Sequence, residues 1–233
     1  MEQCAVLQHE VDQVVERGAV WRSPQGLDAV LVAVDEGFVF ISADSGDKGN
    51  RASDGHRRRI VVATGRPGML LPAPGVGEQL EALTPARVSI IATDRLKAML
   101  GLPLVAEAIT EAFVEALRDR QAAIRNCTYV RHSERVRQTL LQLAGTYGRV
   151  APRGIRIDFP LTHQLLADMV GSARETVSLA LAELSREGFL HRHNRDYIIR
   201  VGLHELFSTV GPSVGARDGR PSAIDPRRAP ALT

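Results

Sequence analysis

Seven side chains between positions 162 and 178 have types and spacing suited to recognition chemistry: Thr162, His163, Gln164, Arg174, Glu175, Thr176 and Ser178. Arg174, Glu175 and Ser178 fall on the outward side at the start of an expected helix, RETVSLALAELSREG. Arginine donates in pairs to guanine, glutamate accepts from cytosine, and serine can do either, so these are types that read base edges. Thr162, His163, Gln164 and Thr176 offer hydroxyl, imidazole and amide groups suited to holding phosphates. His191, Arg192, His193 and Arg195 form a second basic group in FLHRHNRDYIIRV, where Asn194-Arg195-Asp196 marks a hairpin turn. Two readings stay open for that group: contact with phosphates or the minor groove, or a solvated hairpin with no binding task. His191 and His193 stand two apart with no third ligand nearby, so no metal is expected there.

Base reading requires a helix held at a fixed angle, and the flanking sequence supplies the frame. IRIDF at 155–159 alternates apolar and polar residues as a strand does. Pro160 closes it, and Thr162 caps the short helix HQLLADMVG. Gly171-Ser172-Ala173 makes a tight turn, and the second helix ends at Gly188. Leu165, Leu166, Met169, Val170, Val177, Leu181 and Leu184 are the expected contacts between the two helices. Strand, helix, glycine turn, helix and hairpin, in that order, spell a winged helix-turn-helix. Its first helix braces across the phosphate backbone, and its second enters the major groove, which is wide enough for a helix.

Upstream the periodicity differs. Residues 18–42 hold short apolar runs broken by Pro24-Gln25-Gly26 and by Asp35-Glu36-Gly37, the latter expected as a hairpin corner. Residues 42–59 are rich in Gly, Ser and Asp and read as a loop; Arg57-Arg58-Arg59 has the composition of a nucleic-acid patch but is expected as the loop's solvated end leading into a strand. Residues 60–63, 69–71 and 87–92 read as further strands. The first hundred residues therefore predict an antiparallel, jelly-roll-like β-roll. Asp94 is the expected cap of a short helix, and Pro103 opens a long one. Val105, Ile109, Ala112, Ala116, Ala123, Cys127 and Val130 form its apolar seam, widened by Leu104, Ala108, Phe113, Leu117 and Ile124. Such a seam packs either on a symmetry copy of itself or on its own barrel. A break is expected near residues 130–133, with Ser133 capping the helix ERVRQTLLQLAGTYG. LHELFSTV reads as a last short helix, and the Pro-, Gly-, Arg- and Ser-rich stretch from 211 to 233 as a disordered tail.

The expected architecture is α+β: a β-roll over 1–100, a dimerisation helix and hinge over 101–131, a winged helix-turn-helix over 132–210, and the tail. Composition agrees with a globular chain: 44% of the 233 residues are hydrophobic and 24% charged. Net charge is −2 over residues 1–100 and +3 over 131–210, which points the second half toward an anionic partner. The first 20 residues lack a signal-peptide pattern and no apolar run is long enough to span a bilayer, so the expected place is the cytoplasm with no membrane partner. Cys4 and Cys127 are far apart, expected as structural, and cannot form a metal cage or a cysteine cluster. Nucleophile, base and orienter do not recur at recognisable spacing, and phosphate-cradling glycine loops are absent. An enzyme, a cofactor and a metal are therefore not expected.

THQLLADMVGSARETVSLALAELSREGFL, with its Arg174-Glu175-Thr176-Val177 string, resembles the DNA-binding element of the CRP/FNR superfamily of bacterial transcription regulators. The order of β-roll, long helix, hinge and winged helix is also similar, over about residues 15–208. Val34–Val39 with Gly37, and Gly65-Arg66-Pro67-Gly68, resemble that family's barrel glycine turns. The resemblance implies a homodimer joined through the helix at 103–130, a near-palindromic DNA operator and RNA polymerase as a partner. Two departures stand out. Family members that read the commonest half-site carry a second arginine five residues after the first, where this chain has Leu179. A leucine there either touches a thymine methyl or packs inside. Cyclic-nucleotide binders follow Gly-Glu with Arg-Ser/Thr-Ala, whereas Gly77-Glu78 here is followed by Thr84-Pro85-Ala86-Arg87, and Pro85 lacks a backbone donor. The expectation is thus a regulator without the usual cyclic AMP site. The alternative is an effector-dependent sensor whose barrel binds a nucleotide or other ligand and gates DNA binding.

Overall fold

The fold comes from a computed structural model that describes residues 11–23, 28–44, 59–193 and 196–200. Twelve strands and five helices are formed among them. Two compact units divide the chain. Of the described residues, one takes in those up to Phe40 together with Thr64–Arg118, and the other takes in 41–44, 59–63 and those from Asp119 to 200.

Eight strands build the N-terminal β-roll: β1 (Val11–Val15), β2 (Val20–Trp21), β3 (Ala29–Glu36), β4 (Val39–Asp44), β5 (Arg59–Gly65), β6 (Leu70–Pro72), β7 (Glu78–Ala82) and β8 (Ala86–Ala92). They form two four-stranded sheets, ordered β1-β8-β3-β6 and β2-β7-β4-β5. β3 pairs antiparallel with β8, Val32 facing Ile90, and β1 pairs antiparallel with the other edge of β8, Gln13 facing Val88. The Asp35-Glu36-Gly37 corner is not the hairpin turn expected from sequence. β3 and β4 belong to different sheets, so the corner carries the chain from one sheet to the other. Gly37 makes this possible, with φ at 78° and its backbone close to Pro85 and Ala86. β1 and β7 were not anticipated, because Val11-Asp12-Gln13-Val14-Val15 and Glu78-Gln79-Leu80-Glu81-Ala82 carry too many polar residues for the β signal.

Two helices follow, α1 (Thr93–Leu100) and α2 (Pro103–Cys127). Asp94 is not the cap of α1; Ala92 holds that position, and Asp94 lies in the first turn 3.5 Å from Lys97. Leu31, Leu70 and Ile91 of the first sheet, Met99 of α1 and Ile109 of α2 form one buried cluster, with Val105 and Ala112 packed against it. The start of the expected α2 seam thus packs on its own barrel. Another side of α2 stays open: Leu117 is 59% and Ile124 68% exposed, with Phe113 also exposed. Ala106, Thr110, Phe113, Leu117, Arg120 and Ile124 follow one another at alternating steps of four and three, the spacing of a coiled-coil seam. Cys127 is free and exposed, so it is not the buried structural cysteine expected.

In the second unit α3 (His132–Tyr147) begins after Arg131, and Ser133 lies inside it instead of capping it. Buried Asn126 donates to Gln142 Oε1 at 3.0 Å, and Gln142 Nε2 donates to the Asp119 carbonyl at 3.0 Å, which ties the end of α2 to α3. Strands β9 (Gly148–Ala151) and β10 (Gly154–Ile157), helices α4 (His163–Val170) and α5 (Arg174–Arg186), and strands β11 (Leu190–His193) and β12 (Asp196–Ile199) complete it. The sheet order is β11-β12-β10-β9, so the anticipated strand at 155–159 joins the C-terminal hairpin through β12. Cys4, the LHELFSTV segment and the 211–233 tail lie outside the described residues. No helix among the described residues is long and apolar enough to cross a membrane.

A Cβ at Gly37 would stand 2.3 Å from the Pro85 carbonyl oxygen, whereas one at Gly77, where φ is 81°, meets nothing within 4 Å. Both alanine variants take on the roughly 1–3 kcal/mol cost of a left-handed non-glycine residue. Gly37→Ala is therefore expected to destabilise clearly more than Gly77→Ala in urea denaturation. Equal midpoints for the two variants would overturn the close packing of this corner.

Candidate nucleic-acid interface

α4 begins where Thr162 turns its side chain back, its hydroxyl oxygen accepting from the Leu165 backbone N–H at 3.0 Å. Leu165, Leu166 and Val170 are buried, while Met169 is half-buried. Gly171 ends the helix with φ at 64°, a left-handed cap that a glycine takes without strain. Ser172 follows, its hydroxyl 3.1 Å from His132 Nδ1 at the start of α3. α5 then buries Val177, Ala180, Leu181 and Leu184. The spacing of those four residues fixes the rotation of the helix about its axis. Arg174, Glu175 and Leu179 are left facing outward, Leu179 at 74% exposure. Of the two alternatives for Leu179, inside packing is thereby excluded.

Three elements converge beside the first turn of α5. His163 of α4 places Nδ1 2.8 Å from Ser178 Oγ, and Ser178 Oγ lies 2.9 Å from the Arg174 carbonyl oxygen. Burial lowers the His163 pKa below its ordinary value of 6.5, and the guanidiniums of Arg192 on β11 and Arg174 on α5 lower it further. The Arg192 guanidinium lies 5.9 Å from the centre of the Tyr197 ring. Burial pushes the Tyr197 hydroxyl up, with Arg192 acting in the opposite sense. Thr162, His163, Arg174, Ser178 and Arg192 are therefore drawn together by α4, α5 and β11.

The remaining sequence candidates are placed differently. Gln164 is exposed, but its Nε2 donates to Asp168 Oδ1 at 2.8 Å. Asp168 is only 4% exposed, and Arg59 of β5 approaches its other oxygen to 3.4 Å. Arg59 was expected as the solvated end of a loop, whereas it begins β5 and pairs with Asp168; Asp168 was not singled out, because an acid within an apolar helix carries no periodic signal. Thr176 is half-buried, and His191 is half-buried with Ile198 as its strand partner. His193 ends β11 opposite Asp196, and Arg195 lies outside the described residues. In the β-roll, Glu78 accepts the Gly75 backbone N–H at 2.9 Å, and Arg87 pairs with Glu36. Among the described residues no group of three His, Cys, Asp or Glu side chains could hold a metal ion.

Residues 134–206 match the family described as a Crp-like helix-turn-helix domain. The chain is 24% identical over 178 residues to the CRP-like cAMP-activated global transcriptional regulator of Mycobacterium tuberculosis, covering 69% of this chain and 79% of that one. It is 39% identical over 79 residues to the global nitrogen regulator of Synechocystis, covering 34% of this chain and 30% of that one. Among solved structures, CooA from Carboxydothermus hydrogenoformans is similar in fold, with a TM-score of 0.69 at 18% identity over 88% of this chain and 90% of that one. A CRP-family transcriptional regulator of Thermus thermophilus gives a TM-score of 0.62 at 22% identity, over 87% and 98% of the two chains. A β-roll, a long helix and a Crp-like helix-turn-helix domain follow one another in this order, and the chain is similar in fold to solved CRP-family regulators.

Proposed function

We propose that this regulator acts in the cytoplasm as a homodimer that reads a near-palindromic DNA operator and works with RNA polymerase. The observation that carries the operator reading is the outward face of α5. Arg174 and Glu175 stand exposed at its start with Leu179 one turn on, while the opposite face is buried. In this reading Arg174 donates to guanine and Glu175 accepts from cytosine. Leu179 covers a thymine methyl group, so the half-site carries an A·T pair where many relatives' second arginine would ask for guanine. Thr162, Thr176, Gln164, His191 and Arg192 lie on or beside the elements that would flank the duplex and serve its phosphates, a task also proposed for His193 and Arg195. The exposed Phe113, Leu117 and Ile124 stripe supports a dimer joined along α2. Twofold symmetry then sets the two α5 helices roughly 34 Å apart, one turn of DNA.

The relative from Mycobacterium tuberculosis is named as cAMP-activated. In this chain Glu78 accepts the Gly75 N–H and Arg87 pairs with Glu36, and Thr84-Pro85-Ala86-Arg87 stands where cyclic-nucleotide binders carry Arg-Ser/Thr-Ala. That supports DNA binding without the usual cyclic AMP site. One observation favours the second reading, an effector-dependent sensor. Ser42 on β4 is 1% exposed, and among the described residues its hydroxyl has no hydrogen-bond partner. A buried hydroxyl in that state is a place where a ligand's polar group would gain a bond.

Selection of bound sequences from random duplex DNA, with purified protein and no added ligand, is expected to enrich a palindrome. No enrichment without ligand, and a palindrome once a cyclic nucleotide is added, would favour the second reading. Arg174→Ala is expected to cost roughly 1–3 kcal/mol and to relax preference at one base pair of each half-site. Unchanged affinity and preference in an electrophoretic titration would reject that role. Leu117→Asp places a charge in the proposed seam. It is expected to convert the dimer to a monomer in analytical ultracentrifugation, and a dimer that persists unchanged would exclude α2 as the interface.

A further inference from the structure

Ser178 has one hydroxyl hydrogen and two close polar neighbours. The Arg174 carbonyl oxygen, 2.9 Å away, can only accept, so the hydrogen is directed to it. The contact with His163 Nδ1 at 2.8 Å is then a hydrogen bond only if Nδ1 carries the hydrogen and the serine oxygen accepts. Burial, Arg192 and Arg174 all disfavour the charged imidazole, and the neutral ring that fits this contact is the one with its N–H at Nδ1. That N–H is spent on Ser178. Nε2 is left with a lone pair and cannot donate to a phosphate, the task expected of His163 from sequence. Ser178 in turn keeps one lone pair and no hydrogen for an outside partner.

We propose that His163 is a positioning residue for base recognition: it holds Ser178 as an acceptor-only reader, which selects an exocyclic amine, adenine N6 or cytosine N4, at the base facing Ser178. Guanine and thymine present acceptors at the corresponding edge and are disfavoured there. Serine by itself reads either kind of edge, because its hydroxyl turns freely. The Arg174 carbonyl alone leaves the hydroxyl able to turn away, whereas the Nδ1–H of His163 on its other side keeps the hydrogen toward that carbonyl and makes a tolerant residue discriminating. The inference rests on the operator reading above and adds to it the sign of one hydrogen bond.

The test begins from the palindrome selected by the native protein. Ser178→Ala locates the base pair that Ser178 faces, as the position where preference is lost. At that position adenine or cytosine is expected on the strand read. Replacing an adenine there by purine, which lacks the amine, or a cytosine by a pyrimidinone lacking its amine, should weaken binding about tenfold, the worth of one hydrogen bond. His163→Leu is expected to fold, to bind, and to tolerate all four bases there within about threefold. His163→Asn, whose side-chain amide nitrogen can stand where Nδ1 stands, is expected to restore the native preference. A guanine or thymine preference at this position in the native protein overturns the proposal. Uniformly weaker binding of His163→Leu with its base preference intact also overturns it, by showing a phosphate contact instead. If the native protein selects no motif with or without cyclic nucleotide, the operator reading fails and this inference falls with it.

Discussion

Burial of Val177, Ala180, Leu181 and Leu184 against α3 and α4 is the constraint on which the candidate interface depends. A helix alone presents all its sides to solvent and recognises nothing in particular. Sinking one stripe fixes the rotation angle, and the outward residues follow from the 100° step of the helix. Gly171 matters for the same reason. Its left-handed φ lets α4 end and α5 begin three residues later, so the two helices meet at an angle that keeps the stripe covered. The wing is tied to the same body through β12, which lies between β11 and β10.

The winged helix was legible because each of its boundaries carries a chemical mark: a threonine cap, a glycine in a left-handed turn, a glycine after α5, and apolar residues at helical spacing between them. The barrel was legible only as a set of short strands. Sheet membership of β3 and β4 was misread, since Asp35-Glu36-Gly37 has the composition of a hairpin turn and nothing local distinguishes a turn from a corner between sheets. What separates them is the approach of Gly37 to Pro85 and Ala86, a contact nearly fifty residues away in sequence. Long-range approach is the information that local composition lacks.

The long helix carried a related ambiguity. Its apolar residues cover more than one side, and the sequence offered one broad seam for two competing partners. Packing separates them: Val105, Ile109 and Ala112 go to the barrel, while Phe113, Leu117 and Ile124 stay outside. Polar positions were harder still. Ser178 and His163 were both recognisable as binding types, yet their roles depend on where single hydrogens lie, and that follows only from the distances among three elements. Asp168 shows the same limit, because a buried carboxylate with Gln164 and Arg59 as partners has no signature in spacing.

In the proposed complex, the exposed leucine on α5 also changes the character of the binding energy. An arginine that neutralises charge at the duplex releases condensed counterions, and its contribution fades as salt rises. Leu179 releases none. In a twofold-symmetric complex the difference is counted twice. Recognition that replaces two cations by two leucines leans on removal of apolar surface from water, whose mark is a negative heat-capacity change. A regulator of the proposed kind would hold its site with less regard to ionic strength, and would give up some of the long-range attraction that draws more basic proteins onto DNA of any sequence.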